Sequence, residues 1–321
     1  MPENSREGVR RIERKYRRVK RRLFLQRLRA SLPLYLTLLL LIGGFALFLV
    51  LGRQNRGTDR TVTAAALRVY VLDVGQGDAI LIESDGHAAL IDAGEADQGQ
   101  RVVQMLHALG VRQLDYVISS HPHSDHSGGL RTVLSQIPSG QLMLPVVPDA
   151  LMPTGYGYSQ MLGICAQKGI AVRQPACRDN VQIGAAELEF LCTDNSAFED
   201  LNDCSLVCLL TCGNVRFLFT GDLEEAGEEA LLREGLIPPV TVLKAAHHGS
   251  SHATTEVFLR AAQPKFAVIS VGAVNDYGHP ASKTLQRLRD AGCGIYRTDL
   301  DGTVCFAADS DTIRVQTQIS F

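Results

Sequence analysis

The apolar positions change character along the chain. Over residues 30–52 they run almost unbroken, rich in Leu, Ile and Phe, with no charge between Arg29 and Arg53. A helix crossing a bilayer core needs roughly 20 such residues, so this stretch predicts a transmembrane helix. Pro33 falls near its start, where proline is tolerated. Residues 53–66 turn polar and then Thr/Ala-rich, which predicts a linker. From Leu67 onward short β-like runs alternate with helical spacing. Strands are expected over residues 67–74, 79–83, 88–91, 116–119, 187–192, 205–212, 215–220, 240–245 and 266–271. Helices are expected over 101–109, 130–137, 223–234, 254–262 and 282–291, and in a segment ending at Lys168. Gly213-Asn214 marks a hairpin, and Asp301-Gly302 the turn of a final one. Residues 140–180 are less regular. Two β-rich halves with interspersed helices predict an α/β fold in which two sheets are sandwiched between helices.

Charge sharpens this division. Residues 1–29 are a basic arm: the first 30 residues hold 12 Lys/Arg against 3 Asp/Glu, a net of +9, while the remainder holds 20 against 31, a net of −11. Lys and Arg remain on the cytoplasmic side of a membrane segment. The expected topology is a single pass with a cytoplasmic N-terminus and residues 67–321 outside the cytoplasm. The arm is too long for a cleaved signal, and no small-residue cleavage site closely follows the apolar run. Its periodic Arg/Lys residues are also suited to anionic lipid.

Eight cysteines lie in the expected exported part, where disulfides are permitted. Cys208 and Cys212 would be roughly 13 Å apart along one strand, beyond bridging distance. No CxxC spacing suggests a thiolate metal site.

The chemistry concentrates after predicted strands. His121-Pro122-His123-Ser124-Asp125-His126 holds three of the nine histidines within six residues. Residues two apart in extended chain point the same way, so His121 and His123 can address one cation. Asp125 and His126, at the turn into the next helix, can address a second. Imidazole and carboxylate suit Zn²⁺, Mn²⁺ or Fe. Asp222, at the end of the strand ahead of Leu223, is suited to bridge two cations. In Lys244-Ala245-Ala246-His247-His248-Gly249-Ser250, adjacent histidines face different ways, one toward metal and the other toward substrate. Lys244, His247 and His279 are candidates for stabilising charge or moving a proton. Ser250 and Tyr277 are candidate substrate contacts. His252 reads as a plain loop residue.

HxHxDH followed by a distant Gly-Asp resembles the metallo-β-lactamase superfamily. Leu72-Asp73-Val74-Gly75-Gln76-Gly77-Asp78-Ala79, Leu90-Ile91-Asp92-Ala93-Gly94, His247-His248-Gly249-Ser250 and Tyr277-Gly278-His279-Pro280 narrow the resemblance. It becomes one to the hydrolase domain of the ComEC family of DNA-uptake competence proteins, over nearly all of residues 67–321. The resemblance implies an αββα sandwich with two divalent cations. It implies that Asp92 steadies the histidine loop rather than ligating. The further metal histidine usual before the bridging Asp is missing, and Asn202 and Asp203 stand there instead, so one ion would be held less tightly. Similarity to phosphocholine esterases assigns His248 to metal and His247 to substrate. Competence proteins of this family also carry a multi-helix channel, so a chain with one membrane segment would depend on a separate DNA-uptake channel.

The reading that follows is a membrane-anchored hydrolase of an anionic substrate, a phosphodiesterase acting on single-stranded DNA. The acidic domain argues against tight non-specific DNA binding, which rests on many Lys/Arg–phosphate contacts. The alternatives are a cell-wall phosphate ester, a lactone or a β-lactam as substrate, or a non-catalytic role in an envelope assembly, since fold does not fix function.

Overall fold

A computed structural model describes residues 66–319 and 321. The basic arm, the expected transmembrane helix over 30–52 and all but the last residue of the linker lie outside the described residues. Among the described residues no helix is long and apolar enough to cross a membrane.

Strands β1 (Leu67–Val71), β2 (Ile80–Ser84), β3 (His87–Ile91), β4 (Leu114–Ile118), β5 (Ser139–Met143) and β6 (Ala171–Arg173) belong to one sheet. Strands β7 (Asn180–Ile183), β8 (Ala186–Leu191), β9 (Val207–Cys212), β10 (Val215–Phe219), β11 (Val242–Lys244), β12 (Phe266–Ile269) and β13 (Gly294–Arg297) form a second. The chain then returns with β14 (Thr303–Ala308) and β15 (Ile313–Ile319), giving a first sheet ordered β15-β14-β1-β2-β3-β4-β5-β6. The second is ordered β13-β12-β11-β10-β9-β8-β7. Strands β3 to β6 run parallel, as do β10 to β13.

The alternation of side chains explains the layering. Leu67, Val69 and Val71 of β1, Ile80 and Ile82 of β2, and Val215, Phe217 and Phe219 of β10 face a core between the sheets. Tyr70 and Leu81 point the other way, onto the helices Gly99–Ala108, Leu130–Gln136 and Tyr156–Lys168. Leu218 and Leu243 likewise meet the helices Glu225–Arg233, Glu256–Ala262 and Ser282–Asp290. Sheets buried on both faces require apolar side chains of both parities. The result is a four-layer αββα sandwich. All eight cysteines are free, and Cys208 and Cys212 serve as small apolar residues of the central core.

The expected last hairpin is placed differently. Asp301-Gly302 ends the short helix Thr298–Asp301 that carries the chain from β13 to β14. The hairpin turn lies instead between β14 and β15, where Asp309 Oδ1 accepts the Asp311 and Thr312 amides at 3.0 and 2.7 Å. Gly302 does have a positive φ, +61°, so the turn signal was real but belonged to a helix end.

The loops that follow β3, β4, β10, β11 and β12 bring the chemistry-bearing residues together at the carboxyl ends of these strands. That is where open α/β sheets place their sites.

Candidate metal centre

The histidine segment leaves β4 with its backbone fastened by Asp92. This residue is fully buried and has a positive φ of +58°. Its Oδ1 accepts the Ser120 amide at 2.8 Å. Its Oδ2 accepts the Ser120 hydroxyl at 2.5 Å and lies 2.9 Å from His126 Nδ1. Asp92 therefore orients the imidazole and leaves Nε2 free to face the centre, the outer-partner arrangement that fixes a ligating tautomer.

On that open side, His126 Nε2 lies 3.1 Å from Asp222 Oδ1, yet both atoms are buried without a hydrogen-bond partner. His248 Nε2 lies 3.1 Å from Asp125 Oδ2 and 3.3 Å from Asp222 Oδ2. Its other nitrogen is 2.9 Å from the Ser270 carbonyl oxygen. Ligand atoms of Asp125, His126, Asp222 and His248 all fall within 4.8 Å of one another. His121 Nε2 faces His123 Nδ1 at 3.0 Å, and the His121 and His126 ring centres are 4.2 Å apart. His121 and His123 belong to neither group of three or more close acidic, imidazole or thiol donors among the described residues. The donor set is thus asymmetric.

The electrostatics fit cations. Burial alone would strip His126 and His248 of charge. The neighbouring carboxylates together outweigh burial at both: Asp222 and Asp92 at His126, and Asp222, Asp125 and Asp78 at His248. His126 is raised well above its ordinary value and His248 to about 9. Asp222 and Asp125 are both held low, because His126 and His248 outweigh the burial that would raise them. Burial, followed by the neighbouring His126, keeps His121 neutral. Carboxylates that hold protons on buried imidazoles are equally able to hold divalent ions in their place. With unpartnered buried donors converging on one point, these residues fit such ions.

At the rim, His247 Nδ1 lies 2.8 Å from Glu224 Oε1, and Nε2 lies 3.8 Å from Asp222 Oδ2. His279 packs edge-on against His247, ring centres 5.6 Å apart, with its Nδ1 buried and unpartnered. Burial and the neighbouring His247 and His248 lower its pKa to about 4, so it is a neutral imidazole at pH 7.

Three expectations change. Lys244 is 1% exposed; its ammonium lies 2.7 Å from Asp78 Oδ2 and donates to the Gly221 carbonyl at 3.3 Å. It cannot contact substrate and acts instead as an internal strut. Ser250 is 3% exposed; its hydroxyl accepts the His252 amide and its carbonyl accepts the Thr284 hydroxyl. It closes the histidine loop and does not face substrate. Asp203 Oδ1 accepts the Glu224 and Gly227 amides and so caps the start of the helix Glu225–Arg233 rather than standing beside an ion. Asn202 beside it is 7% exposed, and its amide oxygen finds no partner. Tyr277 is exposed.

Asp78, Ser120 and Glu224 complete the site without having been expected. Asp78 Oδ1 is 3.5 Å from His248 Nδ1, and its amide donates to the Asp125 carbonyl at 3.1 Å. The signal for Asp78 was a charged residue directly ahead of the apolar strand β2. Gly77 permits this contact. A Cβ there would lie 2.2 Å from the Asp125 carbonyl oxygen, and its φ is +125°. Gly77→Ala is therefore expected to displace Asp125 and weaken Mn²⁺ or Zn²⁺ binding at least about tenfold. Isothermal titration giving an unchanged affinity would contradict this placement.

The loop bearing His247 and His248, whose φ values are +47° and +51°, is clamped from two helices. Arg287 donates to the Ser251 and Ala253 carbonyls. Glu228, 1% exposed, accepts the Thr255 amide at 2.9 Å and the Thr255 hydroxyl at 2.6 Å. Burial raises the Glu228 carboxyl from 4.5 to about 7 despite these bonds. An acid whose pKa rises on folding binds its proton more tightly in the folded state. Its stabilising contribution is complete below pH 4.5 and is lost as pH rises through 7. In EDTA, wild type should lose on the order of 3 kcal/mol more stability than Glu228→Gln over that window. Denaturant melts with parallel pH dependence would refute it.

A family model for the metallo-β-lactamase superfamily matches residues 72–273. The chain belongs to this superfamily. Competence protein ComA of Neisseria gonorrhoeae is 33% identical over 252 residues, 77% of this chain and 33% of that protein. ComE operon protein 3 of Bacillus subtilis is 30% identical over 254 residues, 74% of this chain and 32% of that protein. The chain thus spans about a third of the length of the curated relatives it matches. CmlA, a diiron β-hydroxylase from Streptomyces venezuelae, shares the fold with a TM-score of 0.50 at 13% identity, over 79% of this chain and 55% of that one. Within the superfamily the chain is related to competence proteins, and the superfamily fold points in general to a metal-dependent hydrolase.

Proposed function

We propose that the chain is a binuclear metal-dependent phosphodiesterase, held on the outer side of a membrane by residues 30–52 and acting on nucleic acid. The observation that carries the hydrolase reading is the convergence of His126 Nε2 and Asp222 Oδ1, unpartnered and buried, with Asp125 and His248. In this reading Asp125, His126, Asp222 and His248 would hold one ion, and His121 and His123 would help to hold the other. Two divalent cations in such a site supply an activated water and neutralise charge on phosphoryl oxygens. Asp92 and the Ser270 carbonyl hold His126 and His248 in orientation. His247, braced by Glu224, faces the substrate side and passes a proton to the leaving oxygen as the P–O bond breaks. His279, neutral, donates a hydrogen bond to a phosphoryl oxygen. The competence-protein relatives support a nucleic-acid phosphodiester over a β-lactam.

The test is a substrate panel. The purified full chain, loaded with Mn²⁺ or Zn²⁺, should cleave single-stranded DNA and bis-p-nitrophenyl phosphate but neither a lactone nor nitrocefin. Absence of phosphodiester cleavage with either metal would overturn the proposal. The membrane placement has its own check. A reporter fused after Phe321 should be active only outside the cytoplasm, and cytoplasmic activity would reverse the orientation.

A further inference from the structure

The loop after β12 presents aromatic surface beside the metal centre. Gly272 is tied to Gln76 at 3.2 Å. Asn275 Nδ2 donates to the Gly272 and His279 carbonyls at 3.0 and 2.9 Å, and Asn275 Oδ1 accepts the His279 amide at 3.0 Å. One side chain thus closes the loop upon itself. The residues it lifts are not buried by the fold: Val274 is 92% exposed and Tyr277 70% exposed. The Tyr277 ring lies nearly parallel to that of His279, at 15° with centres 5.8 Å apart. His279 in turn meets His247, and His247 reaches to within 3.8 Å of Asp222. A continuous run of rings therefore leads from the candidate cation-binding carboxylate to an open aromatic face.

We infer that Tyr277 is a stacking platform for an unpaired nucleobase adjacent to the scissile phosphate, which makes it a specificity-determining residue. The inference rests on the phosphodiester reading above. A flat ring exposed on one side suits the face of a base, and every base offers one whatever the sequence. Bases inside a duplex are already stacked and offer no free face, so the platform selects single strands. A quaternary ammonium is favoured by an aromatic cage, whereas this surface is open.

The experiment compares cleavage of a ten-nucleotide oligothymidylate with that of an abasic tetrahydrofuran oligomer of equal length, using the full chain with Mn²⁺. The wild type should prefer the base-bearing oligomer in kcat/KM by about 5- to 150-fold, the worth of one stacked base. Tyr277→Ala should bring the ratio close to one, chiefly through KM, and Tyr277→Phe should keep it. A wild-type ratio near one, or a preference that survives Tyr277→Ala, would overturn the stacking role and leave the phosphodiesterase reading standing. If neither oligomer is cleaved by the wild type, the phosphodiesterase reading falls and this inference falls with it.

Discussion

Asp222→Ala is expected to remove phosphodiester hydrolysis, lowering kcat/KM on the order of 10³-fold, more than the ~10–100-fold typical of outer partners. Three imidazoles converge on its two oxygens: His126 at 3.1 Å, His248 at 3.3 Å and His247 at 3.8 Å. No other carboxylate among the described residues is close to all three. Losing it leaves two buried imidazoles without their principal counter-charge and removes the oxygens suited to join two ions. The backbone at this position is held independently, since the Asp222 amide donates to the Ser205 hydroxyl at 3.1 Å. The fold should therefore survive the substitution. Asp222→Asn, which keeps one oxygen and loses the charge, should be nearly as inactive. Steady-state kinetics with Mn²⁺ checks this, with circular dichroism confirming a folded protein. An active Asp222→Ala protein would place the chemistry elsewhere.

The second large effect concerns stability. Asp78→Ala should lower the melting temperature by about 10 °C, because it strands the Lys244 ammonium in the interior. Lys244 and Asp78 are each 1% exposed and 2.7 Å apart. Removing one member of such a pair costs about 3–5 kcal/mol. Removing both costs far less, since apolar side chains of similar volume can fill the space. Asp78→Leu combined with Lys244→Met should thus recover most of the loss. Thermal melts of the single and double variants separate the two cases. Equal destabilisation by both would show that the pair's charge is irrelevant.

The pair also shows where sequence reasoning ends. Three histidines in six residues after an apolar strand are legible because local spacing determines where they point. Asp222 was legible for the same reason, as a carboxylate at a strand end. Lys244 read as a group able to stabilise charge or move a proton in the reaction. Its actual partner, Asp78, comes from the other sheet, and no local pattern announces a burial created by that meeting. Ser250 was misread similarly: its hydroxyl and carbonyl are engaged by His252 and by Thr284 of a later helix.

Much of the fold was visible in the alternation of apolar residues, since strands such as β10 must feed two cores at once. The weak regions were those with little apolar pattern to read. β6 is exposed at all three positions, and β5 is apolar only at its end. β15 is likewise a largely polar edge strand, and Asp301-Gly302 drew the final turn to the wrong place. Edge strands bury few side chains, so their pairing is set by neighbours distant in sequence.

Anomalous X-ray diffraction from crystals of the protein grown with Mn²⁺ tests the central claim most directly. The account predicts two anomalous peaks: one among Asp125, His126, Asp222 and His248, and a second, weaker one beside His121 and His123. No peak at Asp222, or a single ion bound away from these side chains, would contradict it.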